Sequence, residues 1–188
     1  MTYPELYKEK LLEAVAAIPL EGVNRAIELF RQARDNGRTI FVCGNGGSAA
    51  TSSHFVCDMV KGASYNRAKR FKIIALNDSL PTLTAYSNDV AYEMAFAEQL
   101  KNFAQPDDVV LAISGSGNSP NVLRAVEYAN SAGCKTVAMT GRDGGKLGKM
   151  AHLNLQAGVP HMGRIEDAHM IMCHMIAYYF MDHEERPA

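Results

Sequence analysis

Apolar positions recur at helical spacing over two stretches near the start of the chain, from about Pro4 to Ile18 and from Val23 to Ala33. Asn36-Gly37 supplies a stop for the second. The pattern then changes to short apolar runs that alternate with longer amphipathic stretches. Thr39–Cys43, Phe71–Leu76, Val109–Ile113, Thr136–Met139 and, more weakly, Leu153–Gln156 read as strands. Ala49–Val60, Ala91–Phe103, Asn121–Ala132, a short piece at Lys146–Met150 and a last stretch from about Ile165 to Met181 read as helices. Strands that are apolar on both faces and separated by helices belong in a parallel sheet covered on both sides, so an α/β fold is expected. The two N-terminal helices precede that core, and their surplus apolar faces predict burial against another subunit.

Length and charge narrow the picture further. A chain of 188 residues suits one domain over 1–188, with 1–36 as oligomer-contact helices and 37–182 as the α/β core. A free tail is expected from about Glu184. The formal net charge of -1 comes from scattered residues, so no nucleic-acid partner is expected. The densest basic run, Arg67 to Lys72, reads as a solvated loop. With no apolar stretch of membrane-spanning length and no signal-peptide pattern, no membrane partner is expected and the protein is read as cytoplasmic. Cys43, Cys57, Cys134 and Cys173 lie far apart without a CxxC pair, which predicts buried free thiols rather than disulfides or a zinc knuckle.

In a parallel sheet of this kind, ligands bind where strand C-termini meet helix N-termini. The first such junction reads Cys43-Gly44-Asn45-Gly46-Gly47-Ser48, whose glycines allow a tight turn and close approach of a ligand. Ser48 is placed to cap the following helix, whose free N–H groups attract an anion. The third strand ends in Ser114-Gly115-Ser116-Gly117-Asn118-Ser119-Pro120, with Pro120 suited to the first helical position and Ser119 to the cap. Three hydroxyls and successive backbone N–H groups make a neutral cradle for a phosphate. His54 and Asp58 stand one turn apart on a single helix face, able to meet one ligand or metal. On the last helix Glu166, Met170 and His174 share a side. His169 points elsewhere and reads as an ordinary hydrogen-bonded or exposed histidine, and the neighbouring methionines as core or subunit contact.

These residues resemble the sugar isomerase (SIS) domains, and most closely the phosphoheptose isomerases, over nearly the whole chain to about Met181. The anchors are Cys43–Ser48, His54-Phe55, Asn88-Asp89, Ser114–Asn121, Thr140–Gly145, Val159-Pro160-His161 and Arg164–His169, followed by His174. The resemblance implies a three-layer sandwich around a five-stranded, flavodoxin-like parallel sheet. It also implies a homotetramer with active sites at subunit interfaces, and conversion of sedoheptulose 7-phosphate into a heptose 7-phosphate for outer-envelope sugar synthesis. By the family pattern Ser114, Gly115, Ser116 and Ser119 hold the phosphate, while Asn45, Gly46, Gly47, Ser48, Asn88, Asp89 and Glu166 contact the substrate. His54, Asp58, Glu166 and His174 match a zinc site, with Asp58 and His174 also matching the acid–base pair.

The chain departs from the family in having Asp58 for the usual glutamate, Glu166 for glutamine, and Lys61-Gly62 where an arginine is expected. A shorter acid reaches about one methylene less far, while Glu166 adds charge to a metal site. If both are helical, Glu166 and His174 are about 12 Å apart along the axis. They share an ion only if the first turn is frayed or different subunits contribute. Some relatives implied by the same resemblance are non-catalytic tetrameric adaptors for the bacterial replication initiator. Those lack an acid and a histidine at the positions of Asp58 and His174, and retention of both here favours the enzyme. A sugar-phosphate-sensing domain is a third reading, weakened because no DNA-binding segment accompanies it.

Overall fold

A computed structural model describes residues 1–183. Five strands, β1 Thr39–Gly44, β2 Lys72–Ala75, β3 Val109–Ser114, β4 Lys135–Gly141 and β5 Leu153–Ala157, form one parallel sheet in the order β2-β1-β3-β4-β5. The side chains alternate as the period of two demands. Ile40, Val42, Leu111, Ile113 and Met139 enter one core, and Phe41, Cys43, Val110, Ala112 and Ala138 the other. On the first face lie α2 Leu20–Asp35, α3 Gly47–Cys57 and α8 Met162–Asp182, with α1 Tyr3–Ala16 packed on α8. The second carries α4 Leu80–Tyr86, α5 Ala95–Phe103, α6 Pro120–Ser131 and α7 Gly145–Met150. The expected five-stranded α/β sandwich is therefore the observed one.

The register places Gly44 beside Ile113 and Ser114 beside Thr140. Chain order reverses between β1 and β3, so α3 leaves toward one face and α6 toward the other. Diverging loops of this kind open a crevice at the strand C-termini. It is the glycine loop and the serine loop that border it.

Several expectations needed correction. The Phe71–Leu76 run narrows to an edge strand whose outer positions, Lys72 and Ile74, face solvent. The basic run before it is no plain solvated loop. Arg67 is 7% exposed and its Nη2 donates to the Met181 carbonyl at 2.8 Å. The helix expected over Ala91–Phe103 starts at Ala95, because Ser87–Ala91 form a π-helical turn and Tyr92–Met94 a 3-10 turn. The short α4 was not expected. It buries no residue, so it has no apolar stripe to announce it. All four cysteines are free, but Cys57 is exposed; burial pushes the Cys43 thiol up to about 12, which keeps it inert. The tail expected from Glu184 lies outside the described residues. Among the described residues, no helix is long and apolar enough to cross a membrane.

Candidate active site

The glycine loop turns at Gly46, which has a φ of +54° and forms the N-cap of α3. Ser48 therefore falls inside the first turn, 6% exposed, and is not the cap its sequence position suggested. Its carbonyl instead accepts the Ser52 hydroxyl at 2.8 Å. Asn45, between the glycines, is half-buried and has three polar contacts. It exchanges amide hydrogen bonds with Asn121 at 2.8 and 2.9 Å and accepts one from the Tyr92 hydroxyl at 2.8 Å.

The serine loop gathers its hydroxyls as the sequence predicted. Ser114 Oγ lies 3.4 Å from Ser116 Oγ and 3.1 Å from Ser119 Oγ. Ser119 occupies the N-cap position of α6, yet its hydroxyl turns into the loop instead of capping. The first-turn N–H groups of α6 thus remain oriented toward whatever the hydroxyls surround. The loop shape depends on Gly117, whose φ is +64° and where a Cβ would strike the Gly144 carbonyl. The Gly117 carbonyl in turn accepts from Leu147 N at 2.9 Å. This close backbone approach is the physical reason for the Gly144-Gly145 pair after β4. Gly115 packs under Met162 and Ile165, so the first turn of α8 roofs the cradle.

Two contacts fix how α8 lies along α3. Near its start the Glu166 carboxylate sits over Gly47. Further along, His174 Nε2 reaches to 3.8 Å from Asp58 Oδ2 and 3.4 Å from His54 Nε2, while His54 Nε2 is 3.4 Å from the same Asp58 oxygen. The helices thus run side by side in the same direction. Since α8 is helical from Met162, Glu166 is separated from His174 by about 12 Å of rise. Of the four residues matched to a zinc site, three converge within one chain; the first turn is not frayed, and Glu166 of the same chain lies at the glycine loop.

The three that converge fit a divalent metal. Their donor atoms all lie within 4.8 Å of one another. Asp58 Oδ2 is buried and has no hydrogen-bond partner, an arrangement that costs free energy unless a cation or ligand proton completes it. Two imidazole nitrogens and a carboxylate oxygen are the donor set of a zinc-type site with open positions. Asp58 begins a π-helical turn, Asp58–Gly62, and such turns are frequent at functional sites.

Asn88 and Asp89 are not brought to the loops by their own side chains. They lie on the exposed turn Ser87–Ala91, where Asn88 Nδ2 donates to Asp89 Oδ1 at 2.8 Å. Tyr92, three residues beyond Asp89, makes the connection to Asn45. Sequence reasoning missed Tyr92 and did not give Asn121 a site role. Tyr92 carries no local signal. Asn121, 1% exposed in the first turn of α6, is a buried polar group whose partner lies 76 residues away.

His169 has the ordinary role expected of it. It is 1% exposed, and its Nε2 donates to the Thr140 carbonyl at 3.0 Å, which sets the neutral tautomer. Burial holds its pKa below the usual value of 6.5, against a smaller opposing effect of the Thr140 bond. The unfolded chain therefore binds a proton that the folded one resists, and stability falls as pH drops below about 6.5. Chemical denaturation between pH 7.5 and 5 should show this decline. His169→Gln, which does not titrate, should flatten it.

With this geometry established, the chain can be compared with known proteins. The SIS domain model matches residues 7–141. A phosphoheptose isomerase of Geobacter sp. (strain M21) is 40% identical over 154 residues, covering 82% of this chain and 80% of that one. Its counterpart in Helicobacter pylori (strain P12) is 35% identical over 170 residues, 90% and 88% of the two chains. The phosphoheptose isomerase GmhA of Neisseria gonorrhoeae superposes with a TM-score of 0.87 at 31% identity, over 94% of this chain and 95% of that one. The fold and its two loops thus define a SIS-domain phosphosugar isomerase. Within that class the chain belongs to the phosphoheptose isomerase family, enzymes of the aldose–ketose isomerase type.

Proposed function

We propose that this protein converts sedoheptulose 7-phosphate to D-glycero-D-manno-heptose 7-phosphate through an enediolate. The observation that carries the reading is the convergence of Asp58, His54 and His174 around a buried carboxylate oxygen that has no hydrogen bond, in a chain that also holds a neutral serine cradle. The Ser114, Ser116 and Ser119 hydroxyls, the Gly115 backbone and the α6 N-terminus bind the phosphate, with the bare Gly115 Cα leaving room for the Met162 and Ile165 side chains that roof the loop. Asn45, Gly46, Gly47, Ser48 and Glu166 line the sugar, and Asn88 and Asp89 approach it from the turn that Tyr92 anchors.

The ketose carries its carbonyl at C2. Asp58 removes a proton from C1 to give the enediolate, and a proton returned at C2 completes the aldose. His174 exchanges the hydroxyl protons, as one passes from O1 to O2. A zinc ion, when bound by His54, Asp58 and His174, would supply Lewis-acid polarisation of the carbonyl.

The first turn of α8, which roofs the cradle at Met162 and Ile165, lies about 14–18 Å of helix rise from His174 in the acid–imidazole group, a separation that suits sites shared between subunits. Exposed Tyr3, Leu6 and Leu12 on α1 supply apolar surface for the homotetramer we infer. The test is an isomerase assay of the purified protein on five- to seven-carbon sugar phosphates, with and without chelator. Turnover is expected on the seven-carbon ketose. A protein inactive on every substrate with zinc supplied would leave the adaptor reading in its place.

A further inference from the structure

The amide of Asn45 has four hydrogen-bonding positions: two lone pairs on Oδ1 and two N–H groups on Nδ2. Both lone pairs are taken, by Asn121 Nδ2 at 2.9 Å and by the Tyr92 hydroxyl at 2.8 Å. One N–H is given to Asn121 Oδ1 at 2.8 Å. A single N–H remains. Which way round the two amides sit is settled by the backbone rather than by choice. The N–H of Val122 can only donate, and it donates to Asn121 at 3.0 Å, so the atom it meets must be Oδ1. That places Asn121 Nδ2 against Asn45 Oδ1 and Asn121 Oδ1 against Asn45 Nδ2, so the second N–H of Asn45 is the one hydrogen-bonding position left over.

We propose that Asn121 and Tyr92 are positioning residues that make Asn45 a donor-only group facing the sugar. The inference rests on the sugar-phosphate reading of this crevice. The oxygen of the ligand that meets Asn45 must then act as an acceptor, as a sugar hydroxyl or carbonyl oxygen does. An asparagine free to flip would present donor or acceptor with similar ease and select neither. Asn121 is buried where α6 leaves the serine loop, and Tyr92 stands just beyond the turn that carries Asn88 and Asp89. The same network therefore ties the three substrate-facing segments to one another, with the polarity of the whole set by one N–H of the α6 first turn.

The experiment is calorimetry with two probes: a seven-carbon alditol phosphate, which has no carbonyl and does not turn over, and inorganic phosphate. Asn121→Asp puts an oxygen against Asn45 Oδ1 and should weaken the alditol phosphate about 10- to 100-fold, the scale of a buried polar group left without its partner. Tyr92→Phe removes one partner and should weaken it by several-fold. Tyr92→Phe should bind inorganic phosphate within about twofold of wild type, because the serine hydroxyls and the α6 N-terminus are untouched. Asn121→Asp adds a negative charge to the α6 first turn and should weaken both probes, the alditol phosphate by the larger factor, whereas a merely structural defect would weaken both equally. Unchanged alditol phosphate affinity in both variants, or parallel loss of both probes, overturns the proposal. Should Asn121→Asp fail to fold, Tyr92→Phe decides alone, since its ring is half-exposed and loses only an oxygen. Wild-type protein that binds neither probe would instead overturn the sugar-phosphate reading, and this inference with it.

Discussion

Asp58→Asn and His174→Asn should each lower turnover by about 10²–10⁴-fold, the usual contribution of a positioned proton-transfer group. Neither change should much alter substrate affinity, because the phosphate is held at the other end of α8. The effect on the protein itself should be small, since Asp58 has a buried oxygen without a partner and an amide there is no harder to accommodate. Asp58→Glu is the sharper variant. Asp58 opens a π-helical turn, which displaces its backbone relative to a continuous helix. If that displacement does not compensate for the shorter side chain, the longer acid preserves or improves turnover of the heptose phosphate. If the site is built around aspartate, the glutamate crowds the two imidazoles and activity falls. Steady-state kinetics on the seven-carbon ketose separates the outcomes.

The second large effect is expected at the cradle. Replacing both Ser116 and Ser119 by alanine removes two hydroxyls that cluster around Ser114. At roughly 1.5–3 kcal/mol for each hydrogen bond to a charged group, sugar-phosphate affinity should fall about 10²–10⁴-fold. The fold should survive, because the loop is held by Gly117 against Gly144 and by the Leu147 amide rather than by these hydroxyls. Unchanged affinity by calorimetry would place the phosphate elsewhere. The two kinds of variant also test site sharing. If the cradle of one subunit works with the Asp58–His174 pair of another, co-expression of Asp58→Asn with the serine double variant should restore measurable activity. Each alone should be nearly inactive. No recovery in mixed oligomers would confine the site to one chain.

Much of this was legible in the amino-acid order, for reasons that are local. The unbroken apolar runs of β1 and β3, the Asn36-Gly37 stop and the Ser119-Pro120 start are each encoded within a few residues. So is the i,i+4 pairing of His54 with Asp58, because helix geometry alone puts them on one face. The density of serine after β3 announced the hydroxyl cluster we propose as a phosphate cradle, and helix rise alone separated Glu166 from His174. The family resemblance supplied the roles that spacing cannot, such as the pairing of Asp58 with His174.

What the tertiary structure decided depends on groups far apart in sequence. Ser48 lost its capping role because the positive φ of Gly46 starts α3 two residues earlier than a Ser48 cap requires. The Phe71–Leu76 run became an edge because strand order, not strand composition, determines which faces are covered. Glu166 was assigned to the glycine loop by the parallel packing of α8 along α3. The Asn45–Asn121–Tyr92 network joins three segments whose separate sequences give no sign of one another. Local propensity is a property of a few neighbours, whereas the partners of the Asn45 amide, Asn121 and the Tyr92 hydroxyl, are 76 and 47 residues away and meet it only through the fold.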